Sequence, residues 1–127
     1  MKNNTNHFVS ANEICNEFIS QSNLDFLPTT KWFRVIKVTI YDQDWKWSKL
    51  HNVFMDGSNG ISNFIDSIIN KVVEKAGVSG DGVTIDTVSE QHGNTGVAKH
   101  SIKASGEVIY VVEIEDTVMN LENENLF

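Results

Sequence analysis

The sequence predicts an α+β domain: an antiparallel sheet of about 4–5 strands with two helices packed on it, in the order α-β-β-α-β-β-β. Three observations carry that expectation. Ile61, Phe64, Ile65, Ile68, Ile69, Val72, Val73 and Ala76 recur at i, i+3, i+4, i+7 and i+8, the spacing of one apolar helical stripe. Ile36, Val38 and Ile40 alternate with Lys37 and Thr39 within Trp32–Tyr41, as a half-buried strand requires. Beyond residue 80, apolar runs are punctuated by Gly-containing turn signals at short intervals, the pattern of successive short strands.

In chain order, residues 1–8 read as a polar, Asn-rich arm preceding a single domain over residues 9–116. Ser10-Ala11-Asn12-Glu13 is a capping box with Val9 and Ile14 placed as its staple, so a first helix starts near Ala11 and carries Ile14, Cys15, Phe18 and Ile19 inward. The strand Trp32–Tyr41 turns at Asp42-Gln43-Asp44, and Trp45–Met55 returns beside it. Gly60 and the Asp56-Gly57-Ser58-Asn59 run before it supply turn formers and N-cap candidates for the helix from Ile61. That helix should end on Gly77 as a C′ glycine with Val78 folding back. Val83–Val88 is the next strand, Gly93-Asn94-Thr95-Gly96 a four-residue loop, Val97–Ser105 a polar strand, and Glu107–Glu115 a strand apolar on both faces and therefore inside the sheet. Residues 117–127 read as an acidic tail.

Composition narrows the function. One domain accounts for 127 residues. There is no apolar run long enough for a membrane span and no signal-peptide h-region, so the expected location is cytoplasmic. A single cysteine, Cys15, excludes an internal disulfide and a cysteine-based zinc site, and its place on the first helix makes it a core side chain. The net charge of −7 is uneven. Acids and bases balance over residues 1–60, whereas residues 61–127 hold all of the excess, with no basic residue after Lys103. Such a surface repels nucleic acid and membrane headgroups and steers toward basic partners.

Enzymatic signatures are absent: no phosphate-cradling glycine motif, no GxSxG elbow and no HExxH. No cofactor and no metal are expected, and the glycines at 77–82 and 93–96 are turn residues. With a four-residue loop at 93–96, His92 would pair with Val97 and His100 would face Ser89, too far apart along the ladder to share a metal, while Glu90 would face Lys99. A catalytic pairing of His92 or His100 with Asp86 or Glu90 has no supporting motif. Arg34 falls in register with Ile36, placed to pair with a carboxylate or stack on Trp32.

The segment Tyr41–His51 stands out, because Trp45 and Trp47 share a face if it is extended, with Lys46 and Lys49 beside them. In the plainer reading Trp47 only covers the edge of the core. The leading expectation is a non-enzymatic acidic protein that masks a basic, nucleic-acid-binding surface of a larger protein. Trp45 and Trp47 would be its anchors, and Glu107, Glu113, Glu115 and Asp116 its phosphate mimics. By analogy of charge and size, a toxin-immunity protein or a phage anti-defence inhibitor of the anti-CRISPR kind follows this logic. The alternative is a small-ligand or nucleotide binder whose wall is Tyr41, Trp45, Lys46, Trp47, Lys49 and His51. A homo-oligomer formed by pairing at a sheet edge is also open.

Overall fold

Trp32–Tyr41 forms strand β1 in the computed structural model, which describes residues 8–18, 32–55, 60–79 and 82–120. The remaining elements are helix α1 (Ala11–Asn16), β2 (Trp47–Met55), helix α2 (Ile61–Ala76), a 3-10 turn (Gly77–Ser79), β3 (Val83–His92), β4 (Thr95–Ala104) and β5 (Glu107–Asn120). The class is α+β and the order is the expected one. Strands lie in the order β2-β1-β5-β4-β3, with every neighbouring pair antiparallel. Helix α2 thus carries the chain from one edge of the sheet to the other, and the β3-β4-β5 meander returns it to the centre. β5 is central because Ile109, Tyr110, Val111 and Val112 are buried in succession.

The described helices cover one face of the sheet; the other, called the open face below, carries no described helix, although Thr39 and Val111 on it are buried. Ile36, Val38, Ile40, Leu50, Ile102, Val112 and Ile114 pack against Ile14, Cys15 and Phe18 from the first helical segment and Ile61, Ile68, Val72 and Ala76 from α2. α1 lies over β1 and β2, and α2 over β4 and β5. Lys71 and Lys75 tie the two helices together through Glu17, at 3.3 and 3.7 Å. Ser10 caps α1 as expected, its hydroxyl accepting from the Glu13 amide at 3.1 Å. No described helix is long and apolar enough to cross a membrane.

Several local expectations change. Of the N-cap candidates, 56–59 lie outside the described residues and Gly60 takes the position for α2, with φ +93 and no side-chain cap bond. Gly77 is not a left-handed C′ residue: φ is −84 and its amide bonds back to Val73 and Glu74, so the helix tightens into the 3-10 turn and leaves Val78 exposed. The β3–β4 turn is Gly93-Asn94 alone. Gly93 adopts φ +61, as the first central residue of a type II′ hairpin must, so His92 pairs with Thr95 and the ladder slips by two residues from the expected register. His100 therefore faces Thr87, Glu90 faces Val97 and Lys99 faces Val88. β5 runs on to Asn120, because residues 117–120 pair with the first residues of β1, so the segment expected to be a tail begins as strand. Phe8 is not a free arm residue either, since it packs edge-on against Tyr110. Residues 1–7 and 121–127 lie outside the described residues.

Candidate interaction site

The site is built from the connection between β1 and β2. Asp42 leaves β1 with its side chain only 8 % exposed. Its Oδ1 accepts from the amides of Asp44 and Lys46 at 3.0 and 3.2 Å, and its Oδ2 accepts from the amide of Ala11 at 2.9 Å. The main chain closes the same loop, with the Asp42 amide donating to the Lys46 carbonyl at 2.9 Å and the Trp45 amide donating to the Asp42 carbonyl at 3.0 Å. One carboxylate thus fixes the loop and joins it to the N-terminus of α1. Read as a sequence, Asp42 was only a turn former. The available signal was an Asx residue bonding to amides two or more positions on.

This loop holds Trp45 at φ +60, a left-handed conformation that costs a residue with a bulky side chain about 1–2 kcal/mol. Trp45 is 71 % exposed and Trp47 59 % exposed. The two do not share a face of one extended segment, because β2 begins only at Trp47. Trp47 stands on the open face directly opposite Tyr41, and Trp45 meets Tyr41 edge-on with ring centroids 6.5 Å apart. The Lys49 ammonium lies 5.3 Å from the centre of the Trp47 ring. Tyr41 is thus the hinge of an aromatic corner where the open face meets the loop end.

Trp45 divides two concavities. One, of about 300 Å³, is lined by Tyr41, Trp45, Lys99, Ser101, Val108, Val111 and Glu113. The other, of about 240 Å³, is lined by Asp42, Gln43, Trp45 and residues 107–111. Glu113 and Glu107 are therefore brought to the tryptophan from opposite sides. Glu115 points out of the same open face two positions further along β5, opposite Lys37 and Val97. Asp116 does not join them: it lies on the helix-covered face, where both carboxylate oxygens bond Arg34, Oδ1 at 3.0 Å from Nε and Oδ2 against Nη2.

The open face is close to charge-balanced, since Lys49 and Thr39 align with Glu113 and Lys99 in one row, and His51 and Lys37 align with Glu115 and Val97 in the next. Among the described residues, Asp44, Glu107 and Lys46 at the loop end make no ion pair, so carboxylates outnumber the one lysine beside Trp45. Of the alternative ligand set, Tyr41, Trp47, Lys49 and His51 share the open face, while Lys46 sits at its rim in the loop.

The histidines fall apart. His92 projects from the open face, 3.3 Å from Glu90, whereas His100 projects from the other, with Nδ1 2.9 Å from the Thr87 hydroxyl, and burial lowers its pKa. His7 lies outside the described residues. Among the described residues no cluster of three or more His, Cys, Asp or Glu side chains is placed to hold a metal ion. Cys15 is buried, and desolvation pushes its thiol pKa up, the opposite of a reactive thiolate. No family model matches the chain, and neither curated proteins nor solved structures show a significant match to it.

Proposed function

We propose that this chain is a non-enzymatic binding protein that seats a basic surface of a larger protein against the Trp45–Tyr41–Trp47 corner. The observation that carries the reading is Trp45: 71 % exposed, at φ +60. A ring left mostly in water stabilises the isolated fold little, and a left-handed backbone at a bulky residue works against it. Burial against a partner supplies the missing stabilisation, and exposed tryptophans flanked by tyrosine are typical anchors of protein interfaces. Asp44, Glu107 and Glu113 set the sign of the partner's surface. Carboxylates around an aromatic anchor take the place of phosphates on a nucleic-acid-binding site, which is how a toxin-immunity protein or an anti-defence inhibitor blocks its target.

A second reading rests on the concavity beside Trp45, where Tyr41 and Lys99 offer a ring and a cation to a nucleotide. Titrating the tryptophan fluorescence with a lysine- and arginine-rich peptide and, separately, with nucleotides divides the two. The proposed function expects saturable quenching by the peptide that Glu107→Lys and Glu113→Lys weaken, and none by nucleotides. Saturable quenching by nucleotides alone overturns it in favour of the ligand site.

A further inference from the structure

β3 is an edge strand whose residues beyond Val83 are all exposed, with Val88 at 62 % and Ile85 at 42 %. The described helices pack chiefly elsewhere, α1 on β1 and β2 and α2 on β4 and β5; Val83 alone of β3 joins the core, and Ile65 of α2 lies beside Ser89–Gln91 across a concavity. Exposed edges are ordinarily guarded by lysine, proline or a bulge. Residues 83–92 contain no lysine, arginine or proline, their charged residues are Asp86 and Glu90, both on the open face, and the register break nearest to them among the described residues lies between β4 and β5. Ten residues are therefore held extended with little burial in return.

The hairpin fixes which backbone groups face outward. In a hairpin with a two-residue turn, the flanking pair, here His92 and Thr95, is hydrogen-bonded, and bonded pairs then recur at every second position. Thr84, Asp86, Val88 and Glu90 thus direct their amides and carbonyls toward β4. Val83, Ile85, Thr87, Ser89 and Gln91 direct theirs to the open edge.

The geometry points to antiparallel pairing of β3 with the β3 of a second copy of this chain, about a two-fold axis through Thr87. Each outward-bonding residue then meets another: Thr87 meets Thr87 of the second copy, Ile85 meets Ser89, and Val83 meets Gln91, giving about ten backbone hydrogen bonds. On the open face Asp86 lies against Val88 and Thr84 against Glu90, so no like charges oppose one another. Centring on Asp86 sets that carboxylate against itself, and centring on Val88 sets Asp86 against Glu90, which is destabilising in each case. Centring on Ser89 keeps only about six of the hydrogen bonds. The Thr87 register alone combines the full ladder with charge compatibility. It joins the two sheets into one and leaves β2 and Trp47, at the far edge, free.

Sedimentation equilibrium of the full chain up to sub-millimolar concentration, beside Thr87→Pro, tests the pairing. The Thr87 amide points away from β4, so proline removes no backbone bond within the hairpin, only the side-chain bond between the Thr87 hydroxyl and His100. A dimer is expected whose dissociation constant rises at least about tenfold with Thr87→Pro. Amide exchange on the wild-type chain decides the same point even if the proline variant fails to fold. Ile85, Thr87 and Ser89 should gain protection as concentration rises, while Thr84, Asp86 and Val88 are protected throughout. A chain monomeric over the whole range, a dimer that survives Thr87→Pro, assembly beyond the dimer, or exchange at Thr87 independent of concentration overturns the proposal.

Discussion

Removing the Asp42 carboxylate is the perturbation with the widest local consequence. Asp42→Ala deletes the acceptor of three backbone amides. The amide of Ala11, whose residue is 1 % exposed, is left without its acceptor in a site closed to water, at a cost of about 1–3 kcal/mol. Asp44 and Lys46 are exposed, so water replaces most of what their amides lose, and about 0.5 kcal/mol each is a reasonable allowance. The expected total is about 2–4 kcal/mol, a substantial part of a typical domain's stability. Asp42→Asn should fall between, because its carbonyl still serves Asp44 and Lys46 while its amide group meets the Ala11 donor. Urea unfolding followed by circular dichroism gives the total, and amide exchange localises it to Ala11, Asp44 and Lys46. A loss below about 1 kcal/mol for Asp42→Ala, with exchange at Ala11 unchanged, would refute the anchoring role.

Three further outcomes follow from other parts of the fold. Tyr110→Phe removes the hydroxyl that donates to the Val9 carbonyl at 2.8 Å, so urea unfolding should show a loss of about 0.5–1.5 kcal/mol, with faster exchange confined to the start of α1. Ser105 adopts φ +54 in the two-residue β4–β5 turn beside Gly106 at +79, the type I′ arrangement that favours Asn-Gly, so Ser105→Asn should raise the thermal midpoint, corresponding to about 0.5–1 kcal/mol. Burial lowers the pKa of His100 below its ordinary 6.5, so the unfolded chain binds the proton more readily. Its contribution is intact above pH 6.5 and is lost progressively below it as the pH falls toward the folded-state pKa. Between about pH 7.5 and pH 5.5 the wild type should lose more stability than His100→Gln, and equal losses would remove His100 from the explanation.

Much of this fold is legible in the residues because periodicity and burial agree. The stripe from Ile61 to Ala76 forms one helix within those bounds, and the alternation about Ile36, Val38 and Ile40 becomes β1 with those side chains in the core. The apolar centre of β5 correctly places it inside the sheet. Register was less accessible, since a two-residue turn at Gly93-Asn94 and a four-residue turn over Gly93–Gly96 differ only in backbone angles that glycine permits equally. The site was half legible. That two large rings beside a turn would not both be fully buried was legible, but whether Trp47 covers the core edge was open, and their separation onto loop and strand was hidden because Trp45 takes a conformation its own side chain disfavours. Asp42 holds that loop through local bonds to the Asp44 and Lys46 amides, an Asx pattern open to sequence reading, but its anchorage on Ala11, 31 residues earlier, is encoded in no local pattern. The acidic residues of 107–116 cluster in sequence, yet strand alternation sends Glu113 and Glu115 to one face and Asp116 to the other.

The central claim, that the aromatic corner docks a basic protein, is tested most directly by affinity capture with the tagged wild-type chain beside a Trp45→Ala/Trp47→Ala variant, in about 50 mM and then about 200 mM salt. Both side chains are mostly in water, so the variant should keep the wild-type circular dichroism. The account predicts that the wild type retains one large nucleic-acid-binding protein at low salt and releases it at the higher salt, and that the folded variant retains none. Recovery of the same partner by the folded variant, or of a partner held equally at both salt concentrations, would contradict it.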